Sequence, residues 1–262
     1  MSGQVYALAE DIEQVSFMNK ALQKESPKQA QLFELFLSAM PSLSKSERSL
    51  LTENFETSFL LAKKKLAANS SHNAEKQLIK LCNFFQNKYF KTYKPHSTLA
   101  TTLGQGDFDC LSGTALMAAV LHQAGYVYQI KETAHHVFLV VSLPQKEVLI
   151  ECTDPLDMLV SDPKEIQKRL QNYATEPLKA EKNEVKLSEA FCKDITQQEL
   201  AGLLLFNAAV EKFNQQIFSE AVQLLETALI YYPSTRCKEL LFLASRSLQD
   251  FGNKPGKHLA SE

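Results

Sequence analysis

Residues 104–126 read GQGDFDCLSGTALMAAVLHQAGY. A glycine- and aspartate-rich loop gives way at Cys110 to an apolar run of helical spacing. Asp109 is suited to cap that helix, and Gly125 to end it with a left-handed residue. The pattern predicts a helix over about 110–124 with a thiol at its first position. Unpaired N–H groups and aligned peptide dipoles at a helix N-terminus favour a thiolate. Asp107 and Asp109 oppose that effect where they face the sulfur. A packing cysteine remains the plain alternative, so partners for the thiol have to be sought elsewhere in the chain.

Downstream, the periodicity changes from helical to alternating. Val137–Leu143 and Val148–Thr153 are rich in Val, Leu and Phe and are separated by PQKE, the pattern of a β-hairpin. His135 and His136 open the first strand and point to opposite faces. Glu151, Asp154 and Asp157 lie on or beyond the second. A turn centred on Gln145 pairs residues whose numbers sum to 290. That register sets His136 opposite Asp154, and Glu151 opposite Leu139. A centre half a residue later brings His135 to nearly the same place. Both faces of HVFLVV are apolar, which predicts a sheet covered on both sides.

Upstream, residues 5–93 read as mostly helical. Leu32, Leu35, Phe36 and Met40 recur at helical spacing between Pro27, with Ser26 as its cap, and Pro41. Leu50, Leu51, Phe55, Phe59 and Leu60 repeat the pattern. Residues 74–90 form one more amphipathic helix, with Cys82 in its apolar stripe. KTYKPHSTLATTLGQGDFD reads as a loop. Residues 161–173 read as a short helix capped by Asp162, and Thr196 and Glu199 have capping-box spacing for another. In the last stretch Phe218, Ala221, Leu225, Ala228 and Pro233 fall at the offsets of a tetratricopeptide repeat, which the segment resembles. Leu205 and Lys212 stand where that repeat has tryptophan and tyrosine.

Composition narrows the function. A 262-residue chain with 45% hydrophobic and 22% charged residues can bury a sizeable core. Its net charge of -2 gives no footprint for nucleic acid. No apolar run reaches bilayer length. The five cysteines are widely spaced with no CxxC pair, so a zinc or dithiol site is not suggested. No phosphate loop or cofactor motif emerges. The N-terminus lacks a signal-peptide pattern, which predicts a cytoplasmic protein as written. YALAED resembles the end of a cleavage site, so removal of a leader would instead imply export.

Taken together, the cysteine helix, HVFLVV and TDPL resemble the transglutaminase-like superfamily of cysteine enzymes, related in core architecture to papain-like proteases. In that family the nucleophilic Cys begins a helix closed by a glycine about fifteen residues later. The His heads a strand in an HAWxEV-like context, and the acid precedes a proline in a DPT-like one. The resemblance covers roughly residues 104–160. It implies Cys110 as nucleophile, His136 as general base and acid, and Asp154 as orienter, and it decides between the two histidines. Gln105 would supply an oxyanion donor as a glutamine does in papain-like enzymes, one position off that pattern; the Cys110 N–H is the other candidate. Phe138 replaces a tryptophan, and Thr114 stands where alanine is common.

The expected fold is α+β: a helical region over 1–95, a transglutaminase-like core over 96–193 with a helix packed on a small antiparallel sheet, and a tetratricopeptide-like helical region over 194–262. The expected activity is a cysteine hydrolase or acyltransferase acting on amide, peptide-like substrates through a thioester, with no cofactor and no metal. The short chain lacks an acidic calcium loop and looks more like the bacterial hydrolase branch than the large cross-linking enzymes. The alternative is an inactive scaffold that holds a peptide or partner protein through the helical repeat.

Overall fold

A computed structural model describes residues 31–68, 73–154, 158–175 and 192–252. The helical stretches Gln31–Ser38 (α1), Lys45–Ala67 (α2) and Ala74–Tyr89 (α3) come first. Ser44 and Glu47 form a reciprocal capping box that starts α2, and Asn73 caps α3. The expected Ser26–Pro27 start lies outside the described residues.

The segment read as a loop before Cys110 is more ordered than its composition implied. It contains β1 (Thr92–Tyr93), the helix α4 (Leu99–Gln105) and β2 (Asp107–Phe108), with β1 and β2 paired in parallel. Thr98 and Thr101 form a capping box for α4, and Leu99, Thr102 and Leu103 bury its inner face. The threonine cluster that reads as loop chemistry is therefore helix-start chemistry.

Helix α5 (Cys110–Ala124) matches its sequence reading. The Asp109 carboxylate accepts a hydrogen bond from the Ser112 N–H, the Ser112 hydroxyl oxygen accepts one from the Asp109 N–H, and Gly125 ends the helix at φ 79°. Every residue from Leu111 to Leu121 is buried, so α5 is a central helix with no wet face.

The sheet holds β3 (Val127–Glu132), β4 (Val137–Leu143), β5 (Lys146–Ile150), β6 (Leu159–Val160) and β7 (Lys193–Ile195). It is antiparallel throughout, in the order β6-β5-β4-β3-β7. One face contributes Val137, Leu139, Val141, Val148 and Ile150 to the main core with α5. The other face, Phe138, Val140, Leu149 and Val160, is covered by Ile166, Leu170 and Tyr173 of helix α6 (Pro163–Thr175). The two-sided cover expected from the apolar strand holds. The molecule is thus α+β, and its main core runs without interruption from Leu32 to Ala244.

Three helices follow: α7 (Gln197–Asn214), α8 (Phe218–Tyr231) and α9 (Thr235–Gly252). Phe218, Ala221, Leu225 and Ala228 are all buried. A Cβ on Gly202 of α7 would stand 2.5 Å from the Tyr232 Cβ, so α7 and the end of α8 approach as closely as only glycine allows. This hairpin is tied to the sheet through the buried Glu132. The Tyr232 hydroxyl donates to Glu132 Oε1 at 2.7 Å, Lys193 pairs with Oε2 at 3.2 Å, and Arg236 forms a further ion pair with the same carboxylate.

A buried carboxylate is costly unless its donors are in place. Tyr232→Phe should lower the free energy of unfolding by about 1–3 kcal/mol. Urea midpoints of the two proteins measure it, and an unchanged midpoint would mean that the hydroxyl contributes nothing.

Candidate active site

The tip of α5 meets the end of the sheet at two points. Thr114, one turn beyond Cys110 and on the same face, donates to the Val137 carbonyl at 3.0 Å. Gly113 lies against Cys152 so closely that a Cβ there would be 2.9 Å from the Cys152 Cβ. These two contacts set the first helical turn beside the heads of β4 and the tail of β5. Neither residue stood out as a positioning group in the sequence, where Thr114 is only a departure from alanine. The signal was present: threonine four residues after a helix-starting cysteine shares its face.

His136 is fixed by the turn between β3 and β4. Its N–H donates to Thr133 Oγ1 at 3.0 Å, and its carbonyl accepts from the Thr133 N–H at 2.8 Å. The ring Nε2 lies 2.5 Å from Glu151 Oε2. The Cys110 side chain lies close enough to the same ring to favour its charged form. With Nε2 held by Glu151, Nδ1 is the nitrogen left for the thiol. His135 is exposed, and only its neighbour turns inward.

The register corrects the expected acid. The hairpin turns through Pro144 and Gln145, with Leu143 opposite Lys146 and Leu139 opposite Ile150. Partner numbers therefore sum to 289 and not to 290. Continued by one pair, this register sets Glu151 opposite Phe138, on the face that carries His136. A slip of one residue exchanges the faces, so Glu151 takes the place assigned to Asp154. Asp154 instead pairs with Arg169 of α6 at 2.9 Å. Two-residue loops are the commonest hairpin connections, and that preference, applied to PQKE, disfavours the three-residue turn that a sum of 290 requires.

Glu151 is saturated with donors. Oε1 accepts from the Thr153 N–H at 3.1 Å and the Thr153 hydroxyl at 2.7 Å, while Oε2 receives His136 and the Tyr173 hydroxyl at 3.0 Å. Burial works against the charged carboxylate, but His136 and Thr153 outweigh it and hold the group below its usual range. Burial likewise opposes the imidazolium. Cys110 and Glu151 overcome that penalty and push the ring up to about 10. The arrangement is a sulfur, an imidazole and a carboxylate in series, suited to proton transfer from the thiol to a ring of fixed orientation.

Gln105 is exposed at the last position of α4, and among the described residues no hydrogen bond joins it to Cys110 or His136. The Cys110 N–H, in the first turn of α5, has no acceptor within the helix. Cys82, Cys152 and Cys237 are buried, and burial pushes each thiol up. Cys110 is half-buried and Cys192 exposed. Among the described residues no group of His, Cys, Asp and Glu is arranged to hold a metal ion, and no helix is long and apolar enough to cross a membrane.

No protein-family model matches the chain, and no curated protein matches it. A crystal structure of menin, described as revealing the binding site for the Mixed Lineage Leukemia (MLL) protein, is similar over 90% of this chain and 61% of its own, at 14% identity and a TM-score of 0.42. The chain thus spans less than two thirds of that protein, and a likeness at this level carries no argument.

Two outcomes follow from the geometry. Gly113→Ala should destabilise the fold by about 1–3 kcal/mol through overpacking against Cys152 and slow alkylation of Cys110; an unchanged rate would show that the helix tip tolerates the shift. The second concerns pH. The ring of His136 is raised above its usual 6.5 to about 10, so its contribution to stability is complete below pH 6.5 and is lost as pH rises through about 10. Glu151 has the opposite sign, and its contribution is lost as pH falls below the usual 4.5. The drop in urea midpoint between pH 7 and 10 should be smaller in His136→Gln than in the wild type, and equal drops would contradict the pairing.

Proposed function

We propose that this chain is a thiol-dependent hydrolase or acyltransferase acting on amide bonds of peptide-like substrates, with Cys110 as nucleophile, His136 as general base and acid, and Glu151 as orienter. The observation that supports it most directly is the Cys110–His136–Glu151 series at the junction of a helix tip and a sheet end. The resemblance of the cysteine helix and HVFLVV to the transglutaminase-like superfamily points the same way.

In this mechanism the thiol proton rests on His136, whose ring is held charged at neutral pH, and the sulfur attacks the carbonyl carbon as a thiolate. The tetrahedral oxyanion forms near the Cys110 N–H, the backbone donor at the start of α5. Collapse transfers the His136 proton to the leaving amine and yields a thioester on Cys110. Water then adds with His136 as base and releases the acid, restoring the thiol; an amine in place of water gives transamidation. The carboxylate of Glu151 stays charged throughout and keeps the ring aligned.

A second reading, a scaffold that holds a partner protein on the tetratricopeptide-like C-terminal helices, draws support from Ile230, Phe242 and Leu243, each more than half exposed. One set of measurements separates the two. Iodoacetamide at neutral pH should alkylate Cys110 at least about tenfold faster than Cys192, the other thiol that solvent reaches. His136→Gln and Glu151→Gln should remove the difference, whereas Asp154→Asn should keep it. Thiol-directed peptide probes should label the wild type and not Cys110→Ala. Equal labelling of Cys110 and Cys192 would leave the scaffold.

A further inference from the structure

Among the described residues the turn after β5 carries two carboxylates, Glu151 and Asp154, and α6 carries a partner for each. Arg169 Nη1 pairs with Asp154 at 2.9 Å, and the Tyr173 hydroxyl donates to Glu151 Oε2 at 3.0 Å. The two partners are four residues apart and so share one face of the helix. That face is seated on the sheet by Ile166 and Leu170, which pack on Phe138, Val140, Leu149 and Val160. The Tyr173 ring lies 5.2 Å from the His136 ring and 5.0 Å from Phe138. Tyr173 therefore touches both the acid and the base of the series, although it comes from an element outside the cysteine helix and the hairpin.

Resting on the thiol-enzyme reading above, we propose that Tyr173 is a positioning residue that fixes the Glu151 carboxylate on His136, while Arg169 holds Asp154 away from that place. A glutamate has three rotatable bonds, so its carboxylate keeps one orientation only if donors surround it. Thr153 anchors Oε1, and Tyr173 anchors Oε2 from α6. The phenol also favours the charged form of the carboxylate by donating to it. The groups facing the pair are Cys110 from α5, Thr153 and Cys152 from the turn, and Arg169 beside Tyr173 on α6.

The test reads the alkylation rate of Cys110 by iodoacetamide from pH 4 to 10 in the full chain. In Tyr173→Phe the carboxylate loses a donor and binds its proton more readily. The acid limb of the profile should move to higher pH, and the rate at pH 7 should fall about three- to tenfold. Ile166→Ala, which loosens the same helix without touching Glu151, should lower the urea midpoint and leave the profile in place. Trifluorotyrosine at position 173, a stronger donor of the same shape, should move the acid limb to lower pH, and this arm decides if Tyr173→Phe does not fold. Superimposed profiles for wild type and the Tyr173 variants, with His136→Gln and Glu151→Gln still slow, would overturn the role of Tyr173 and leave the thiol-enzyme reading standing. If His136→Gln and Glu151→Gln also match the wild type, both ideas fall.

Discussion

The seam between the first turn of α5 and the end of the sheet governs the rest of the site. Helix and sheet can meet there only because residue 113 has no side chain: the Cys152 Cβ occupies the space a methyl group would need. The hydrogen bond from Thr114 to the Val137 carbonyl then fixes how far the helix may slide along β4. With both contacts made, the thiol and the imidazole stand side by side although they are 26 positions apart in sequence (residues 110 and 136). A one-residue displacement on either side would separate them.

The electrostatics depend on this seam and on burial. An isolated carboxylate as buried as Glu151 would take up a proton, and an isolated imidazole in the same setting would lose one. Each prevents the other from doing so, and Thr153 and Tyr173 complete the set of donors on the acid. The fold keeps two opposite charges in a largely dry environment next to a sulfur. This is an expensive arrangement for stability alone, since a buried ion pair is often no better than a well-packed apolar pair, and that weighs towards a chemical use.

Much of this was legible in the sequence, for identifiable reasons. The cysteine helix, its Asp109 cap and its Gly125 stop are local chemistry, and local chemistry is written in adjacent residues. The hairpin and its two apolar faces follow from alternation. The acid was misassigned because hairpin register depends on whether the turn has two residues or three: a turn centred on Gln145 spans Pro144 to Lys146, the observed one only Pro144 and Gln145, and PQKE accommodates both. Strand β3 was missed because VYQIKE mixes buried and exposed positions, and β7 because three residues carry too little pattern. Helix α4 was hidden by threonines, which serve loops and helix caps alike. Long-range pairings such as Arg169 with Asp154 leave no local trace.

The carboxylate of Glu132 has a consequence of a different kind. It sits in the second half of β3, yet its hydroxyl donor, Tyr232, follows one hundred residues later. During synthesis, a nascent chain that has released only the sheet carries an acid paired with Lys193 alone at the place where α8 and α9 will dock. Assembly of the sheet is therefore completed from the C-terminal side, and damage to the last helices is felt in the middle of the protein.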